Sequence, residues 1–127
     1  MILGIDFDDT YTRDPEMWEQ IVRIMVDRGH TVYCVSARDE DDMWAPRGSL
    51  GLVIGEDNCI GTNGKPKKNY IWEHHDNLFV DVWIDDQPEA IITDQSPDFK
   101  KPMADAPYDW DFQINYYEKG TRNPIDI

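Results

Sequence analysis

Positive charge is scarce in this sequence. Twelve lysines and arginines stand against 26 aspartates and glutamates in 127 residues, a formal net charge of −14 at pH 7. A surface of that sign repels phosphate backbones, so gripping long nucleic acid through clustered basic residues is disfavoured. A small phosphorylated substrate stays open, provided a metal ion neutralises its site. Cysteine is nearly absent as well. Cys34 and Cys59 are too few for a disulfide scaffold, and Cys34, inside an apolar run, reads as a buried free thiol. No apolar stretch approaches the ~20 residues that span a bilayer. The opening MILGIDFDD has neither the basic region nor the cleavage pattern of a secretory signal. A cytoplasmic protein with no membrane partner is expected.

What is present suits one folded domain. Hydrophobic residues make up 40% of the chain and aromatics 12%, a globular rather than a disordered composition. A chain of this length buries about two-thirds of its surface, enough for one core and too little for two. Residues 1–127 are therefore read as a single domain.

Met1 to Ile5 is a short apolar run ending abruptly in polar residues, as a strand buried on both faces does. Asp14-Pro15 reads as an N-cap and first turn. Trp18, Ile21, Val22 and Met25 follow at helical spacing, and Gly29 marks the stop. Thr31 to Val35, rich in β-branched and aromatic residues, is a second strand, which makes a βαβ unit with parallel pairing. The four acids from Asp39 predict a helix start running to Trp44. Leu52 to Ile54 and Cys59 to Gly61 read as short strands, Lys67 to His75 as a helix, and Leu78 to Ile84 as a third firm strand. Glu89 to Thr93 forms a further element. From Asp105 the alternation of Trp110, Phe112, Ile114 and Tyr116 fits an edge strand, with a helix as the alternative. The fold class is α/β, with a mainly parallel central sheet flanked by helices.

Carboxylates cluster at the strand ends. Asp6 and Asp8 follow the first strand, and Asp85 and Asp86 follow the third. Ligands in open parallel sheets sit outside the carboxyl ends of the strands, so if those two strands are neighbours the acids converge. Like charges that close need a cation, and an all-oxygen set suits a hard ion such as Mg²⁺. Ser36 ends the second strand with Ala37 and Arg38 behind it, and a hydroxyl with backbone N–H groups can hold a phosphate oxygen. Lys65, Lys67 and Lys68 precede Asp85 and offer positive charge. His74 and His75 are adjacent on a helix, point about 100° apart and do not share a metal. Trp44 and Trp110 are candidates for stacking on a base.

DFDDT after an N-terminal apolar strand, the serine of VYCVSAR, a lysine upstream of the third strand and then WIDD resemble the haloacid dehalogenase (HAD) superfamily of phosphotransferases. The resemblance runs from Ile2 to Asp86 and takes in all four motifs of that family. Asp9 stands where the first motif usually has glycine. The resemblance implies a HAD-like Rossmannoid fold and a phosphomonoester hydrolase. Asp6 would be the nucleophile that forms a phosphoaspartyl intermediate, and Asp8 the general acid and base. Mg²⁺ would be held by the Asp6 carboxylate, the Asp8 backbone carbonyl and Asp85, with Asp86 supporting. Thr10, Ser36, Ala37 and Arg38 would surround the phosphoryl group. Lys68 opens the helix before the third strand, as in the family, with Lys65 and Lys67 close enough to substitute. Gln87 takes the place of an arginine found in small relatives.

Between Thr10 and Ser36 lie 25 residues, and between Ser36 and Lys65 lie 28. Neither gap holds the large cap domain of many HAD phosphatases, so an open site is expected, of the kind that homo-oligomers can enclose. The pattern S-x-R with IDD also resembles the phosphatase half of polynucleotide kinases. Against that, the −14 charge favours a nucleotide or other small phosphomonoester over a nucleic-acid end. Two other classes remain: a phospho-accepting receiver domain, whose acids come in a different order, and a HAD-like binding protein without turnover.

Overall fold

The structure, a computed structural model, describes residues 1–94. Its framework grows from the apolar runs. β1 (Ile2–Ile5) and β2 (Thr31–Ser36) pair in parallel and are joined by α1 (Pro15–Asp27), the βαβ unit that the sequence implied. The Asp14 carboxylate accepts the Met17 N–H at 3.2 Å and caps α1, with Pro15 in the first turn, where an N–H is not needed. After the helix Gly29 takes a φ of +87°, the left-handed turn that a helix stop favours.

The chain continues through α2 (Trp44–Gly48) and α3 (Gly51–Ile54) to β3 (Cys59–Gly61), then α4 (Lys67–His74), β4 (Val82–Ile84) and α5 (Glu89–Ile92). Among the described residues all strand pairs are parallel, in the order β3-β2-β1-β4. The chain moves outward from β1 to β3 and then crosses back to lay β4 on the other side of β1. That reversal puts a topological switch point between β1 and β4. Leu3, Ile5, Val32 and Cys34 pack on one face with Val22 of α1, Met43 and Leu50; Val35 and Ile60 pack on the other with Ile71 of α4 and Val80. Helices on both faces of a parallel sheet give a Rossmann-like α/β architecture.

Three expectations are corrected. Leu52 to Ile54 is not a strand but part of α3, with Val53 and Ile54 N–H groups bonded back to Leu50. Three apolar residues carry no period, and burying Leu50 while exposing Leu52 suits a helix. The acids from Asp39 form only a 3-10 turn, Glu40–Asp42, and the α-helix begins at Trp44. There the Glu40 N–H is taken by the Asn63 side chain and the Asp42 carbonyl by Arg38. The third strand shrinks to Val82–Ile84 because Asp76 and Asn77 turn left-handed and the Asp81 carboxylate, not a backbone carbonyl, takes the Ile2 N–H. The strand or helix expected from Asp105, with Trp110, lies outside the described residues. Among the described residues no helix is long and apolar enough to cross a membrane.

Candidate functional site

The switch point gathers acids. The Asp6 N–H donates to the Ile84 carbonyl at 2.9 Å, so Ile5 and Ile84 stay side by side and the residues after them emerge together. One carboxylate oxygen from each of Asp6, Asp85 and Asp86 lies within 4.8 Å of the others. The condition set by the sequence, that the first and last of these strands be neighbours, is met.

A lysine sits among them, and it is Lys67. Its ammonium donates to Asp6 Oδ1 at 2.9 Å and to Asp85 Oδ2 at 2.6 Å, with 2% of the side chain exposed. Lys68, named first from the sequence, is exposed one residue further round the helix, with its ammonium 5.3 Å from the Phe79 ring. Lys65 pairs with Asp94. Helical spacing carried the signal that was missed. Lys67 lies four residues before the fully buried Ile71, on the one face of α4 that turns inward.

The turn before α4 aims this lysine. Thr62, Asn63 and Gly64 donate their N–H groups to the carbonyls of Ser36, Arg38 and Ala37, which zips the loop after β3 to the loop after β2. A Cβ on Gly61 would lie 2.8 Å from the Arg38 carbonyl, so only glycine permits that approach. Thr62 then bonds to Lys65 through both backbone and hydroxyl, and the chain enters α4 through Pro66 with Lys67 facing the acids.

Burial pushes the Asp6 carboxyl up from its ordinary 3.8 to about 7. Lys67 pulls the other way through charge and hydrogen bond, and the neighbouring Asp85 adds to the rise. For Lys67, burial opposes the charge, but Asp6 and Asp85 more than offset this and hold it above the ordinary lysine value.

Thr10 closes the cluster from the β1 side. Its hydroxyl lies 3.1 Å from Asp6 Oδ2 and 3.0 Å from Asp86 Oδ1, and accepts the Asp86 N–H at 3.1 Å. Asp9, in the same loop, takes φ +62°, and its N–H donates to Thr12 Oγ1 at 2.9 Å.

Asp8 does not join the other acids. Arg38 grips it through two parallel bonds, Nε to Oδ2 and Nη2 to Oδ1, both 2.9 Å, while resting 5.4 Å over the Phe7 ring. Those hydrogen bonds hold Asp8 below the usual carboxylate range, against a lesser effect of burial. Ser36 is buried at the end of β2, where its Oγ accepts the Arg38 N–H at 3.1 Å. The structure thus brings Asp6, Thr10, Asp85, Asp86 and Lys67 together. It sets Asp8, Ser36, Ala37 and Arg38 in an adjoining group whose arginine is engaged internally.

The donor set fits a divalent cation. With all three carboxylates ionised, the one ammonium leaves two negative charges in excess, the state that a cation favours, and every ligand atom is a hard oxygen. Comparison with known proteins returned no family model, no curated protein and no solved structure that matches the chain.

Proposed function

We propose that this chain is a Mg²⁺-dependent phosphomonoester hydrolase of the HAD type, with an open site that takes a nucleotide or other small phosphate ester. The observation that carries the reading is the meeting of Asp6, Asp85, Asp86 and Lys67 at the switch point between β1 and β4. Residues 11–35 and 37–64 are taken up by α1 and β2 and by α2, α3 and β3, which supports a site without a large cap.

In this mechanism Asp6 attacks phosphorus as the phosphorus–leaving oxygen bond breaks, and Asp8 gives that oxygen its proton. Asp8 then takes a proton from water, the water oxygen bonds to phosphorus, and the bond to Asp6 breaks to release inorganic phosphate. Lys67 holds Asp6 in place and offsets its charge. Arg38 holds Asp8 ionised in the free protein, the form that the second step needs, so the proton for the first step arrives with the monoprotonated phosphate ester and passes through Asp8 to the leaving oxygen. Mg²⁺, held by Asp6, Asp85 and Asp86, would neutralise charge on the phosphoryl oxygens. The cations near the site are engaged with its own acids, Arg38 with Asp8 and Lys67 with Asp6 and Asp85, which favours a small ester over a polynucleotide.

The test is phosphate release from 4-nitrophenyl phosphate, nucleoside monophosphates and 3′-phosphorylated oligonucleotides, with Mg²⁺ and with EDTA. Turnover is expected with Mg²⁺ alone and is lost in Asp6→Asn. Turnover that survives Asp6→Asn would overturn the mechanism.

A further inference from the structure

The Thr10 hydroxyl has one hydrogen and two carboxylates to give it to. Asp6 Oδ2 stands at 3.1 Å and Asp86 Oδ1 at 3.0 Å, on loops 76 residues apart in sequence between Thr10 and Asp86. The oxygen is occupied as well, because it accepts the Asp86 N–H at 3.1 Å. A hydroxyl offers one donor, and it turns about the Cβ–Oγ bond without moving the backbone. Thr10 is also 7% exposed, so water competes little for that hydrogen.

The two Asp6 oxygens are therefore not equivalent. Oδ1 is held by the Lys67 ammonium, which is itself fixed by Asp85 at 2.6 Å and cannot leave without separating a buried ion pair. Oδ2 is held by Thr10, whose hydrogen can turn to Asp86 over an almost equal distance and stay satisfied. From this geometry we infer that Thr10 is a positioning residue: its hydroxyl aligns Asp6 Oδ2, the oxygen that Lys67 leaves open, for attack, and links it to Asp86. The same contact, through the Asp86 N–H, ties the loop after β4 to the loop after β1 and holds two of the metal-binding carboxylates at their spacing. As a kinetic statement this role rests on the phosphatase reading.

Thr10→Val keeps the shape and removes the hydroxyl, and Thr10→Ser keeps the hydroxyl. Two quantities are measured in each: kcat and KM for 4-nitrophenyl phosphate with Mg²⁺, and the Mg²⁺ dissociation constant by calorimetry without substrate. Loss of a hydrogen bond to a charged group predicts a fall in kcat of roughly 10- to 100-fold in Thr10→Val, with KM within about 3-fold. Mg²⁺ binding should weaken by about 10-fold as Asp86 loosens. Thr10→Ser should recover most of both. Thr10→Ala reads the same losses should the valine variant fail to fold. Valine and wild type that agree in both quantities, or a serine variant as impaired as valine, would overturn the role. A wild type that binds Mg²⁺ without turnover, while Thr10→Val binds it more weakly and Thr10→Ser as well as wild type, supports the positioning of Asp86 and overturns the phosphatase reading instead.

Discussion

The Lys67 ammonium meets the Asp6 carboxylate at 2.9 Å with 2% and 9% of the two side chains exposed to water. Asp85, its second partner, is equally withdrawn. Removing one member of such a cluster leaves buried charge without a counter-ion, which typically costs about 3–5 kcal/mol. At pH 8 in EDTA, Lys67→Met is therefore expected to lose stability of that order by urea unfolding. Lys68→Met, on the exposed side of the same turn, is expected to lose only about 0.5 kcal/mol, consistent with a surface residue. Equal losses in the two variants would mean that Lys67 is not the buried partner of Asp6.

Asp9 gives a test of the backbone beneath the site. Its φ of +62° is one that glycine adopts freely, that aspartate tolerates, and that β-branched residues resist. Its hydrogen bond to Thr12 comes from the backbone N–H and survives any side-chain change except proline. Thermal unfolding should show Asp9→Gly within about 1 kcal/mol of wild type, and Asp9→Val less stable by about 1–3 kcal/mol. A valine variant as stable as wild type would show that the loop is not held in this conformation.

The parts of this architecture that the sequence reveals are those set by one local cause. β1, β2 and α1 follow from apolar runs, a cap and a glycine stop, and the acids that end β1 and β4 are visible because buried strands end where charge begins. What the sequence hides depends on distant partners. Nothing near Arg38 announces that it closes on Asp8, 30 residues earlier, because that contact exists only once β1 and β2 are paired. Three adjacent-looking lysines separate only when α4 has a buried face, and then Ile71 selects Lys67. The acids from Asp39 read as a helix start, yet Asn63 and Arg38, supplied from elsewhere, fold them into a single 3-10 turn.

Proton and metal should compete for Asp6, and the sign of that competition is fixed by its environment. The carboxyl is pushed up to about 7 in the fold, from 3.8 when exposed, by burial first and by Asp85 as well, with Lys67 in partial opposition. The folded state therefore holds this proton more tightly than the unfolded chain. The stability it contributes is complete below about pH 4 and is lost as pH rises toward 7, on the order of 4 kcal/mol at full ionisation. A divalent cation favours the ionised form and reverses the loss. In EDTA, the melting temperature should fall between pH 5 and pH 8, and it should fall less in Asp6→Asn, which cannot ionise. Adding Mg²⁺ should raise the melting temperature more at pH 8 than at pH 5 in wild type, and only weakly at either pH in Asp6→Asn. An Mg²⁺ shift that is the same at both pH values, and unchanged by Asp6→Asn, would place the cation elsewhere and remove Asp6 from the metal site.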